Sequence, residues 1–192
     1  MNKFFAPLVA VLLLSVPAAQ AMATGIVLAP GTDNVLVGDN DQGIHIDGTD
    51  VVIDNHRGDE ARIAADGSLT VNDKTVVVTG QQKQLLQRYN QTVKDIKTKG
   101  INLGKHAVSF AMSVVGETFA ALFSGESEQE INRRANAEAD KFKLKALPIC
   151  KDVQSLKHLQ DLLVAGIPAF KPFDMVKAKD ANDCENNIKS SD

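Results

Sequence analysis

Between Val35 and Thr79 the apolar positions come in short runs: VLVG, IHID, VVID, ARIA, SLTV and KTVVVT. Alternation in Ile44-His45-Ile46-Asp47 and in SLTV buries one face of a strand and wets the other. The breaks are Asp47-Gly48, His56-Arg57-Gly58, Asp66-Gly67 and Asn72-Asp73, types that tolerate the positive φ of tight hairpins. The pattern predicts an antiparallel meander of four to six short strands. A sheet of that size needs a cover for its apolar face. A short β-solenoid is the rival, because the GIHIDG and AADGSL turns recur, but it requires at least ~3 stacked rungs.

After Thr79 the period changes from two to that of a helix. Thr79-Gly80-Gln81-Gln82 fits a capping box, in which the Thr hydroxyl and the Gln amide satisfy backbone groups reciprocally. Leu85, Leu86, Tyr89, Val93 and Ile96 then recur at helical spacing. Gly100 predicts a stop and Asn102 a cap for a second helix ending near Ser124-Gly125. A second capping box, Ser127-x-x-Glu130, opens a third helix that Pro148 closes. A fourth carries Val153, Leu156, Leu159 and Leu163 and stops at Gly166 and Pro168. Short connections make consecutive helices antiparallel neighbours. IPAFKPF follows as an extended segment with its aromatics tucked in, and the last dozen residues read as loose apart from Cys184. The expected fold class is α+β: a small antiparallel β-meander followed by and packed on about four α-helices. Residues 44–79 and 80–192 form one domain, and 22–43 are poorly assigned.

The most apolar helical stretch, Ala107 to Phe123, has ten residues between His106 and Glu117 without a titratable side chain. A bilayer span needs ~18–20 apolar residues, so it is too short. Its apolar positions cover most of the circumference, which predicts a core helix among neighbours. The alternative is an interfacial helix: the preceding segment, Gln81 to His106, holds six Lys/Arg against Asp95 alone, and basic residues beside Phe110, Phe119 and Phe123 suit anionic lipid.

The chain opens MNKFFAPLVAVLLLSVPAAQA. Lys3, the apolar Leu8–Val16 stretch and the small-residue site Ala19-Gln20-Ala21 have the order of a secretory signal peptide over residues 1–21, cleaved after Ala21. Export to the periplasm is the expected location. Residues 22–79 carry ten Asp/Glu and three Lys/Arg, whereas 80–192 carry fourteen and seventeen. No concentrated basic face results, which argues against a nucleic-acid partner. The two cysteines, Cys150 and Cys184, form an even pair in an oxidising compartment and are expected to make a disulfide. Closing that loop restricts the unfolded chain by ~3.5–4 kcal/mol.

Candidate chemistry is sparse. His45, His56, His106 and His158 lack metal-ligand spacing. Gly38 to Gly43, GDNDQG, aligns Asp39 and Asp41 with a calcium loop but puts Gly43 and Ile44 where the third ligand and the Gly should stand. There is no G-x-S-x-G and no phosphate-binding glycine loop. No catalytic, cofactor or metal residue is therefore expected.

Two stretches, IAADGSLTVNDKTVVVTGQQKQLLQRYNQTV and LPICKDVQSLKHLQDLLVAGIPAFKPF, resemble the YggN-like family of bacterial periplasmic proteins of unknown function. The resemblance implies periplasmic location and no particular reaction. The functional expectation is a soluble periplasmic envelope protein that binds or supports rather than catalyses. The alternatives are peripheral membrane association through the basic first and apolar second helices, and an unrecognised enzyme.

Overall fold

The computed structural model describes residues 27–28, 35–36, 43–55, 57–124 and 128–189, with backbone alone for the first four and for most of 110–124. The signal-peptide segment, GDNDQG up to Gln42, His56, Ser127 and the side chains of Phe110, Phe119 and Phe123 lie outside the described residues.

Each of the six apolar runs contributes a strand. β1 (Val27–Leu28) and β2 (Val35–Leu36) form a two-stranded antiparallel pair. The main sheet consists of β3 (Ile44–Asp47), β4 (Asp50–Asp54), β5 (Glu60–Ile63), β6 (Leu69–Val71) and β7 (Lys74–Val76). Each strand pairs antiparallel with its predecessor, so spatial order equals chain order. That is the expected meander, and antiparallel pairing of successive strands excludes the parallel rungs of a solenoid. β6 turns into β7 through Asn72 and Asp73, at φ 48° and 60°, the two left-handed positions of a type I′ turn.

Four helical elements cover the sheet: α1 (Gly80–Ser124), α2 (Glu128–Gly166), a 3₁₀ turn (Pro168–Phe173) and α3 (Ala178–Lys189). The capping box forms as the sequence predicts. The Thr79 N–H donates to Gln82 Oε1 at 2.8 Å, and the Gln82 N–H donates to Thr79 Oγ1 at 3.3 Å. The helix count is as expected, but the divisions differ. Neither Gly100 nor Pro148 ends a helix. Gly100 is buried and costs ~1 kcal/mol in a helix interior. Ending α1 there would leave the last carbonyls without partners, and α2 runs alongside, Lys99 Nζ bonding Asp152 Oδ2 at 2.5 Å. Pro148 costs ~3 kcal/mol, offset by the burial of Ile149, Cys150 and Val153 directly after it. IPAFKPF keeps its aromatics inside, as expected, on 3₁₀ rather than extended backbone. The tail is helical, with Ala181 buried.

The core lies between one sheet face and the near half of the helical hairpin. Ile44, Ile46, Val51, Ile53, Ile63 and Leu69 from the sheet meet Leu86, Tyr89, Val93 and Ile96 of α1. Val153, Leu156 and Leu163 of α2 continue it, and Phe170 and Phe173 close it. Tyr89 and Phe170 meet edge to face, ring centroids 6.0 Å apart at 80°. Asn90, buried on α1, donates through Nδ2 to the Ile63 carbonyl at 2.8 Å and to the Thr49 carbonyl at 3.2 Å, fixing helix to sheet.

The far half of α1 departs from the core-helix expectation. On α1 the last described residue packed against the core is Leu103. Val108 and Met112 are 63% and 74% exposed. Because α1 does not break at Gly100, the apolar stretch continues along the same axis instead of folding back over the sheet.

Candidate functional site

Cys150 on α2 and Cys184 on α3 are joined, Cα atoms 5.5 Å apart, by the disulfide expected from the sequence. The bond fastens the C-terminal helix to the hairpin just beyond Pro148. Among the described residues no free cysteine remains.

The described histidines do not converge. His45 on β3 places Nδ1 3.2 Å from Asp54 Oδ2 on β4. His106 on α1 lies 3.5 Å from Lys145 Nζ on α2. His158 on α2 is exposed. Among the described residues, no three His, Cys, Asp or Glu side chains are grouped so as to hold a metal.

Two shifted acids, Asp59 and Asp66, sit in turns and make structure. The Asp66 carboxyl is held at about 2 by the Ser68 backbone N–H, by Lys83 Nζ at 3.0 Å and by the Ser68 hydroxyl. Asp59 is lowered by amide hydrogen bonds from Asn55 and Asn72, in a loop where the buried Asn55 Oδ1 also accepts the N–H groups of Arg57 and Asp59. Burial pushes the Tyr89 phenol up; its hydroxyl has no hydrogen-bond partner among the described residues. Tyr89 is sealed in the core, while Asp66 is exposed, Asp59 is half-buried, and both are held by their turn partners.

Among the described residues, a shallow groove of about 640 Å³ runs between α1 and α2. Arg88 and Thr92 line one wall, Lys151, Ser155 and His158 the other. Ion pairing among the described residues uses neither Arg88 nor Lys151. The hydroxyls of Thr92 and Ser155 donate back to the Arg88 and Lys151 carbonyls at 2.8 and 2.9 Å, so their oxygens face the groove as acceptors. Two cations with acceptors between them suit an anionic group carrying its own hydroxyl or amide donors. A second recess of about 420 Å³, by the β4–β5 loop, brings Arg57, Lys171 and Lys177 near Asp174. Lys177 Nζ is already 3.6 Å from Asp174 Oδ2.

Neither surface was named by the sequence reading. Arg88 and Lys151 are 63 positions apart, and they meet only because α1 and α2 stay paired through Gly100 and Pro148. The one available signal was the excess of lysine and arginine on the first helix.

Fold and surface together define an α+β domain: a five-stranded meander on a long helical hairpin, with a cationic groove. Residues 39–132 match a protein family of unknown function, DUF2884. This finding corrects the YggN-like resemblance: the match ends before Cys150–Phe173, one of the two stretches on which that resemblance rested. No curated protein and no solved structure matched the chain. Among the described residues, no helix is long and apolar enough to cross a membrane.

Proposed function

We propose that the chain is an exported, periplasmic envelope protein that acts by binding, with the α1–α2 groove as its binding surface for an anionic group. The groove carries this reading. Its Arg88 and Lys151 charges are not neutralised by ion pairs among the described residues, and its Thr92 and Ser155 hydroxyls are ordered by the helix backbone. Export is supported by the leader pattern of residues 1–21 and by pairing of both cysteines, since disulfides persist in oxidising compartments.

Two measurements test it. Expression of the full chain in a bacterium with a periplasm should yield a processed form beginning at Met22 in the periplasmic fraction; an unprocessed cytoplasmic product sinks the export reading. Titration with inorganic phosphate should shift amide resonances around Arg88, Thr92, Lys151 and Ser155, and Arg88→Ala with Lys151→Ala should abolish the shift. Equal shifts in wild type and double variant would refute the groove.

The lipid-surface alternative draws on exposed Val108 and Met112 near Lys105. Against it stands the acidic far end of the same hairpin, which an anionic bilayer would repel.

A further inference from the structure

The helical hairpin outruns the core. Among the described residues, the core takes nothing from α1 beyond Leu103 and nothing from α2 before Ile149. α1 nevertheless continues to Ser124, and α2 starts at Glu128. About 30 Å of paired helix therefore extends past the domain. The Lys99–Asp152 bond and the His106–Lys145 contact fix the antiparallel register. Val108 then stands level with Leu144, and Met112 follows one turn further out. The three are 63%, 67% and 74% exposed respectively.

The sequence of this projection explains why one neighbour is not enough. From Ala107 to Phe123 the only charged residue is Glu117. A helix apolar around most of its circumference needs more than one covering helix, and α2 is one. Charge is also segregated along the projection. The half next to the domain, residues 104–110 and 141–148, carries Lys105, Lys141, Lys143 and Lys145 and no carboxylate. The outer half, residues 111–124 and 128–140, carries five carboxylates against Arg133 and Arg134.

We infer that a second copy of this chain covers the projecting hairpin, laid antiparallel so that each acidic tip lies along the lysine-bearing half of the other. A two-fold axis across the middle of the hairpin does this for both copies at once, as an isologous contact requires. The product is a four-helix bundle with the apolar positions of α1 inside. Side-by-side parallel association would set lysine against lysine and carboxylate against carboxylate, which is disfavoured. Two helices ~10 Å wide over ~30 Å offer roughly 600 Å² per copy, at the lower end of what specific dimers bury. The inference does not depend on the groove, which lies on the near half of the hairpin.

Light scattering and sedimentation of the full chain test it. A dimer is expected to form by about 100 µM, since interfaces near this size reach micromolar affinity. Met112→Glu should give a monomer that unfolds thermally like wild type diluted to its own monomer, because Met112 contributes nothing to the core. Lys141→Glu with Lys145→Glu should weaken self-association by about tenfold or more, as should Glu128→Lys with Glu130→Lys. Mixing these two double variants should restore association as a heterodimer. A wild type that stays monomeric overturns the inference. So does a dimer whose charge-reversed variants fail to rescue each other, or a monomer that floats with anionic vesicles.

Discussion

Gln82 reaches across the fold to Gly166: its Nε2 donates to the Gly166 carbonyl at 2.7 Å while its Oε1 accepts the Thr79 N–H at 2.8 Å. One side chain thus opens α1 and closes α2. The two roles separate by substitution. Gln82→Glu keeps the acceptor for the Thr79 N–H but loses the donor to Gly166; Gln82→Ala loses both. The expected order of stability is wild type, then Glu, then Ala, with ~1 kcal/mol lost for each hydrogen bond. Chemical denaturation of the three proteins checks it, and equal stability of the Glu and Ala variants would contradict it.

Gly67 and Gly104 should respond oppositely to the same change. Gly67 has φ 82°, and a Cβ there would stand 2.4 Å from the Lys83 carbonyl oxygen of α1. Alanine at 67 must strain the turn and push the sheet from the helix, at a cost of ~2 kcal/mol or more. Gly104 is helical, with nothing within 4 Å of an added Cβ. Gly104→Ala should stabilise by ~0.5–1 kcal/mol through helix propensity. Paired urea melts decide both signs.

The Cys150–Cys184 bond spans 34 positions. Replacing both cysteines by serine should lower stability by ~3.5–4 kcal/mol in the chain-entropy account. Reduction should lower the melting temperature in parallel. The sheet's far-ultraviolet signature should persist in the variant below its new midpoint, because the bond joins two helices. An unchanged melting temperature on reduction would deny the bond any stabilising role.

Asp66 links the turn to acid sensitivity. Its folded value of about 2 lies below the ordinary 3.8, so its stabilisation is complete above the ordinary value. It is lost as pH falls from there through about 2. Asp59 is shifted in the same direction. Asp66→Asn should therefore flatten the stability-versus-pH curve in that window while leaving its shape near neutrality unchanged. Superimposable curves for variant and wild type would remove Asp66 from the account.

The strands and the cap were legible because local patterns determine them: Asn72-Asp73 specifies a turn and Thr79 with Gln82 a helix start, whatever surrounds them. The helix breaks at Gly100 and Pro148 were not legible. Each residue disfavours a helix locally, and each is overruled by pairing with a partner segment that the local sequence does not contain. That error moved the apolar stretch from the projecting hairpin, where Val108 and Met112 face solvent, into the core. It also hid the groove, whose walls exist only while the two helices remain paired. α3 escaped notice for a related reason: AKDANDCENNIK is polar, and what holds it is a bond to Cys150 and the burial of Val176 and Ala181 at its entry.

Closure of the core by Phe170 and Phe173 bears on when the protein can fold. The meander consists of hairpins between adjacent strands, so its pairings are available early as the chain is synthesised from its N-terminus. The long helices cover its apolar face, but the core is completed only when the segment from Phe170 to Val176 arrives to sit against Tyr89 and around the buried Gln160 side chain, which bonds the Val176 backbone in both directions. A polypeptide ending at Gly166 has every strand and both long helices, yet no lid over the Tyr89 ring. Commitment to the native state is thereby deferred until Val176 has been made, and translation products that stop before Phe170 should be the ones that proteases clear.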